Sequence, residues 1–359
     1  MLSDMQTDLL FAARAAHQRR DWSASYQAFE LASRHAALRT DDLDAFAFAA
    51  WRLGHVKESS RAAEQVFTDL ARTDPAAAAM KANELALAWL VRGDVNIGQG
   101  WMNRAHRLLA GTEESAAHGY LAYLDAAVAA ITHDLEGLSA QVRALRELSA
   151  RLDAPAVGAL SLIAAGIEAL LQARTAEGYA LIDEAILPLV ADQVPIEWAG
   201  DIYCMVLHHC HKLADLPRMR SWTQSMEQWC GLSGSVPYGG VCDVHRLQVQ
   251  VAGDDYRGLG DRLGRASRAL EDINTWAARR GVLPTRRGAA TDRRPRRCRS
   301  RFRSSASARD GSPARRGAAG PPARGPAGRV DVDPCCARRP GPAGQGAAAA
   351  RRRGDRAEP

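Results

Sequence analysis

One local phrase recurs seven times between Asp21 and Asp255. An apolar helical stretch stops at a turn, and a second helix carries a small or apolar residue four positions past the turn's polar residue. The turn residues are Asp21, His55, Asp94, Asp134, Arg174, Asp215 and Asp255, spaced 34, 39, 40, 40, 41 and 40 apart. A near-constant period in this range marks a stack of helix hairpins. A lone hairpin cannot bury its own apolar stripe, so neighbours stack to share a core, and the product is a solenoid with an elongated binding face. The expected fold is all-α, with about seven hairpins.

The residues of the phrase explain its geometry. In the first repeat Leu9, Leu10, Ala13 and Ala16 form the stripe of the first helix, and Ser25, Phe29 and Ala32 follow Asp21 at offsets of four, eight and eleven on one face. The same offsets give Gly98, Met102 and Ala105 after Asp94, Leu138, Val142 and Leu145 after Asp134, and Gly178, Ile182 and Ala185 after Arg174. Gly54 and Gly93, just before the turn residue, permit the left-handed conformation that ends a helix. Asp21, Asp94, Asp134, Asp215 and Asp255 can accept from the free N–H groups that open the next helix. The next residue (Trp22, Val56, Val95, Leu135, Leu216, Tyr256) is expected to seal the hairpin. Pro75, Pro155, Pro195 and Pro237 fall between repeats or at helix starts, where proline costs least. Residues 231–235 (Gly-Leu-Ser-Gly-Ser) read as a flexible linker.

The net charge of +6 suggests a nucleic-acid partner until it is divided along the chain. Residues 284–359 hold 20 Arg, no Lys and six Asp/Glu, which leaves residues 1–283 with 27 basic against 35 acidic side chains, a net −8. The sequence thus divides into a mildly acidic helical repeat domain, 1–276, and an Arg/Ala/Gly/Pro-rich tail, 277–359. After Leu283 no Leu, Ile, Met, Trp or Tyr remains, and such a segment cannot offset its conformational entropy, so disorder is expected there. Two origins compete for the tail. One is a basic arm that binds nucleic acid without sequence preference. The other, favoured by the loss of Leu together with Lys, is out-of-frame translation of a GC-rich gene. In the second case the last repeat is uncapped, and self-association through it is expected.

Seven cysteines, none before Cys204, suggest free thiols in a reducing compartment. Asp4 and Asp8 interrupt the N-terminus, no long apolar stretch follows, and no signal peptide or membrane span is expected, so a cytoplasmic location follows. No phosphate-binding glycine loop or nucleophile elbow is present, and no catalytic residue, cofactor or metal is assigned. Cys204, His208, His209, Cys210 and His211 form the densest ligand-type cluster, but their spacing matches no metal motif, and packing roles are the simpler account. His17, Arg19, Arg20 and Arg52 could line a groove for an acidic peptide, or form a solvated face. Trp51, Trp89 and Trp198 are the candidate groove anchors, set beside an ordinary core role.

Ser25/Phe29/Ala32 and Gly98/Met102/Ala105 are the small–large–small positions of the tetratricopeptide repeat, which the chain resembles with a lengthened period. Asp183-Glu184-Ala185, Trp198 with Tyr203-Cys204, Trp222, Glu227-Gln228-Trp229-Cys230 and Gly240-Val241-Cys242 look like the tetratricopeptide region of LuxR-type helix-turn-helix transcriptional regulators. The resemblance covers roughly residues 1–276. It implies a right-handed superhelix that binds a protein or peptide in its groove and serves as the regulatory part of such a regulator. The family's DNA-reading domain has no counterpart in residues 284–359, so no sequence-specific DNA binding is expected. The rivals are a stand-alone interaction scaffold with a basic tail and, less favoured, a metal-dependent enzyme using Cys204–His211.

Overall fold

The second helix of each of the first six hairpins begins at the residue immediately after the turn residue. The computed structural model describes residues 2–233, 236–253 and 255–270, which form fourteen α-helices, with no strand among the described residues. The helices pair in chain order. They are α1 (Leu2–Gln18) with α2 (Trp22–Ser33), α3 (Thr40–Arg52) with α4 (Val56–Leu70), and α5 (Pro75–Arg92) with α6 (Val95–Leu109). Then come α7 (Ala116–Thr132) with α8 (Leu135–Arg151), α9 (Pro155–Leu171) with α10 (Thr175–Val190), α11 (Ile196–Lys212) with α12 (Leu216–Ser233), and α13 (Val236–Ala252) with α14 (Leu259–Leu270). The boundary placed at 276, the whole tail and its proposed nucleic-acid role lie outside the described residues, as does any cap on the last repeat.

The turn is built the same way whether or not glycine is present. The residue before the turn residue is left-handed in six hairpins: Arg20 (φ 59°), Gly54 (84°), Gly93 (89°), His133 (61°), Ala173 (61°) and Ala214 (54°). Its N–H and that of the turn residue reach back to the last carbonyls of the first helix, as when Asp134 N donates to Ala129 O at 2.9 Å. Those carbonyls would otherwise be orphaned, and the bonds help offset the strain at the four non-glycine positions, roughly 1 kcal/mol each. Asp21, Asp134 and Asp215 accept from the N–H three residues on, at 3.1, 2.9 and 3.1 Å. Asp94 occupies the cap position without a side-chain bond.

Asp255 departs from the pattern. It accepts from Arg257 N at 3.1 Å, and α14 starts only at Leu259, so the seventh turn caps nothing directly. Two further expectations are corrected. Gly231, Leu232 and Ser233 belong to the last turn of α12, leaving only 234–235 of the expected linker between α12 and α13, outside the described residues. Val95 and Leu135 do not seal their hairpins: the inward places go to Gly98, which lies against Leu90 and Ala86 O, and to the buried Leu138, while the first helical residues sit at the rim, 54% and 44% exposed.

Burial follows the offsets. Phe29, Met102, Val142, Ile182 and Leu263 at position eight, and Ala32, Val66, Ala105, Leu145, Ala185, Met226 and Ala266 at position eleven, are all buried. At the α9–α10 crossing backbone meets backbone: a Cβ on Gly178 would lie 2.8 Å from Gly166 O, and one on Gly166 2.9 Å from Gly178 O. Helix α10 runs through Pro188, which removes one helical N–H two residues before the helix ends.

The first helices of successive hairpins also pack on one another, α1 on α3, α5 on α7, α7 on α9, α9 on α11 and α11 on α13. Helices α3 and α5 pack least closely of these neighbours. A contact that no nearest-neighbour stack requires joins α13 to α3, so the seventh hairpin touches the second.

Candidate ligand-binding cavity

The loose step between α3 and α5 holds a cavity of about 190 Å³. Asp44, Ala47, Phe48 and Trp51 of α3 form one wall and Lys81, Glu84, Leu87, Ala88 and Val91 of α5 another. Val56, Ser59, Ser60 and Ala63 of α4 line a third side, and Glu197 of α11 with Tyr238 and Val241 of α13 closes it from across the stack. Apolar walls with a few polar groups are the usual make-up of a small-molecule site.

Tyr238 fixes the closure. Its hydroxyl donates to the backbone carbonyl of Glu197 at 2.6 Å, tying α13 to the first turn of α11. Its ring lies edge-on to Trp51 at 5.5 Å and to Trp229 at 5.3 Å. It rests on Gly200, where an added Cβ would fall inside the phenol ring. Only a residue without a side chain lets the ring approach α11 this closely.

The polar groups are unevenly matched. Lys81 spans the α3–α5 gap, bonding Asp44 at 2.6 Å and also Glu84. Burial pulls the Lys81 ammonium down, and the two carboxylates outweigh it and raise it overall. Burial raises Glu84, against the pull of Lys81. Glu197 is pushed up to about 7, chiefly by burial and then by the charge of Glu84, with Arg52 and Lys81 pulling the other way. It makes no ion pair within the described residues. Ser59 is 8% exposed and belongs to the same lining.

The three tryptophans singled out in the sequence go to different places. Trp51 lines the cavity. Trp89 is half-buried off the cavity, with the Arg92 guanidinium 4.4 Å over its ring. Trp198 is fully buried against Tyr120 and Tyr123, at 4.5 and 6.2 Å between ring centres, so it packs the core and offers no ring to a ligand.

Three of the four early basic residues are engaged within the chain. The buried Arg52 guanidinium lies 4.7 Å over Trp22 and 5.1 Å over Phe48. His17 meets the same two rings edge-on, and burial lowers its pKa. Arg20 bonds Asp192 at 2.8 Å, a link across 172 residues. Arg19 is exposed.

The cysteine–histidine stretch disperses around α11. His209 is buried with Nδ1 2.8 Å from Met205 O. Cys210 is buried beside Tyr179, while Cys204 shares its surroundings with Asp201 and Cys242. Cys204 and Cys210 therefore sit in separate environments, and among the described residues no group of three His, Cys, Asp or Glu side chains could hold a metal ion.

Sequence reasoning missed Lys81, Glu84, Glu197, Tyr238 and Ser59. A signal did exist: Lys81 and Glu84 interrupt the alanine-rich stretch 76–88, which should otherwise be wholly packed. Among the described residues, no helix is long and apolar enough to cross a membrane. No protein-family model matches the chain, and no curated protein matches it.

Proposed function

We propose that this chain is a tetratricopeptide-like solenoid, similar to the regulatory part of LuxR-type transcriptional regulators, that binds a compact ligand where its superhelix returns on itself. One observation carries the reading: Tyr238 of the seventh hairpin meets Trp51 of the second and roofs a cavity with convergent polar groups. An open solenoid offers a long groove to an extended peptide. A closed one offers a pocket, and the ligand is a small molecule rather than a strand of peptide. By the family resemblance, a protein partner reads the liganded state, and the chain itself performs no catalysis.

The test is a thermal-shift screen of small metabolites against the purified chain, repeated with Ala88→Leu and Trp89→Ala. Ala88 borders the cavity and Trp89 does not, so a true ligand raises the melting temperature of wild type and Trp89→Ala but not of Ala88→Leu. A ligand that stabilises all three equally binds elsewhere and defeats the reading.

A further inference from the structure

The cavity's chemistry narrows the class of ligand, on the reading that the cavity is a binding site. We propose that it takes a compact organic ammonium ion with an apolar body, the charged head against Glu197 and the body between Trp51, Phe48 and Tyr238.

The charges facing Glu197 come from every packed element. Helix α3 brings Asp44 and Arg52, helix α5 brings Lys81 and Glu84, helix α7 brings the Tyr120 phenol, and helix α13 brings the Tyr238 phenol. The cations among these are already engaged. Lys81 is bonded to both Asp44 and Glu84. The Arg52 guanidinium is stacked over Trp22 and Phe48, and its charge lowers the pKa of the Glu197 carboxyl. Arg92, at the cavity edge, is stacked on Trp89. Glu197 is thus the lining carboxylate left without a counter-ion among the described residues.

A half-buried carboxylate facing an apolar cavity without a counter-ion holds its proton or acquires a cation. A ligand ammonium supplies that cation, and the Ser59 hydroxyl in the same lining is a second acceptor for its N–H groups. The Trp51 and Tyr238 rings add the attraction of aromatic faces for a cation. An anionic ligand would meet Glu84 and Glu197 with like charge, and a neutral one would leave the carboxylate as it found it.

Binding a cation must also release a proton, because Glu197 is about half protonated near pH 7 without ligand. The affinity for an ammonium therefore rises with pH through that region, and a neutral ligand lacks the dependence.

The experiment is calorimetric titration of the full chain with phenethylammonium chloride, 2-phenylethanol and phenylacetate, at pH values either side of 7 and in buffers of different ionisation heat. Phenethylammonium is expected to bind about tenfold or more tightly than its neutral and anionic counterparts above pH 7, with proton release that disappears in Glu197→Gln. That isosteric variant should lose about tenfold in ammonium affinity and leave 2-phenylethanol within about twofold. Ser59→Ala, a milder change, should weaken the ammonium alone by a few-fold. If phenylacetate or 2-phenylethanol binds more tightly, and Trp51→Ala abolishes it, the cavity stands as a site and the ammonium assignment is wrong. Absence of binding by all three removes both.

Discussion

The phenol of Tyr238 stands edge-on to the indole of Trp51, ring centres 5.5 Å apart, although 187 positions separate them in sequence. That contact and the Arg20–Asp192 pair hold early hairpins against late ones. The aromatic contact is the stronger of the two, because both members of the ion pair are largely exposed, and exposed pairs contribute about 0–1 kcal/mol.

Gly200 is what lets Tyr238 reach its position. Alanine in place of a helical glycine ordinarily stabilises by about 0.5–1 kcal/mol. Here the sign should reverse: Gly200→Ala overlaps the phenol ring, which must leave its seat and abandon the bond to Glu197 O. A loss of about 2 kcal/mol or more in urea denaturation is expected. An unchanged or raised midpoint would show that the ring does not occupy that place.

The left-handed turn positions give paired predictions of opposite sign. Ala173→Gly and Ala214→Gly should each stabilise by about 0.5–1 kcal/mol, since glycine adopts their φ of 61° and 54° without penalty. Gly54→Ala and Gly93→Ala should destabilise by about 1 kcal/mol for the same reason. Thermal denaturation of the four variants checks both directions at once.

The aspartates before the second helices are not equivalent. Asp21→Ala and Asp134→Ala each remove a bond to a helix N-terminal N–H and should cost about 1 kcal/mol. Asp94 makes no such bond, and Asp94→Ala should cost markedly less. Equal losses at all three sites would mean that the charge at the helix start matters more than the hydrogen bond.

Glu197 predicts a pH signature. Its folded-state carboxyl is held up to about 7 from an ordinary 4.5, so the native state binds the proton more tightly than the unfolded chain. Its contribution is fully present below about pH 4.5 and is lost as pH rises through 7. Asp201, pushed up to about 6 by burial against the bond from Tyr123, acts in the same sense. His245, lowered by burial to about 4, acts in the opposite sense, since its contribution is lost as pH falls from 6.5 towards 4. The wild-type profile mixes these effects, and the difference between wild type and Glu197→Gln isolates one. The variant should match wild type near pH 4.5 and exceed it by about 1–3 kcal/mol at pH 8.

What the sequence disclosed follows from how local each feature is. The turn phrase and the buried offsets at Phe29, Met102 and Ile182 are set by neighbours within one hairpin, so periodicity alone locates them. Left-handed turns at Ala173 and Ala214 are masked by residues that disfavour them, and only the repeat register points there. The cavity was not legible at all. Trp51 and Tyr238 meet through the accumulated path of the four hairpins that lie between theirs, and no local pattern encodes that sum. Trp198, a candidate anchor on composition, lies in the core because Tyr120 and Tyr123 of α7 cover it.

A stack joined only through adjacent units can fray from either end, one unit at a time, and shows a broad, stepwise melt. The touch between α13 and α3 changes that behaviour, because losing the seventh hairpin also strips cover from the second. Chain shortening from the C-terminal side should thus be felt far upstream, with amides near Trp51 exchanging faster once Tyr238 is gone. The run of described hairpins is better pictured as a clasped bracelet than as a string of beads.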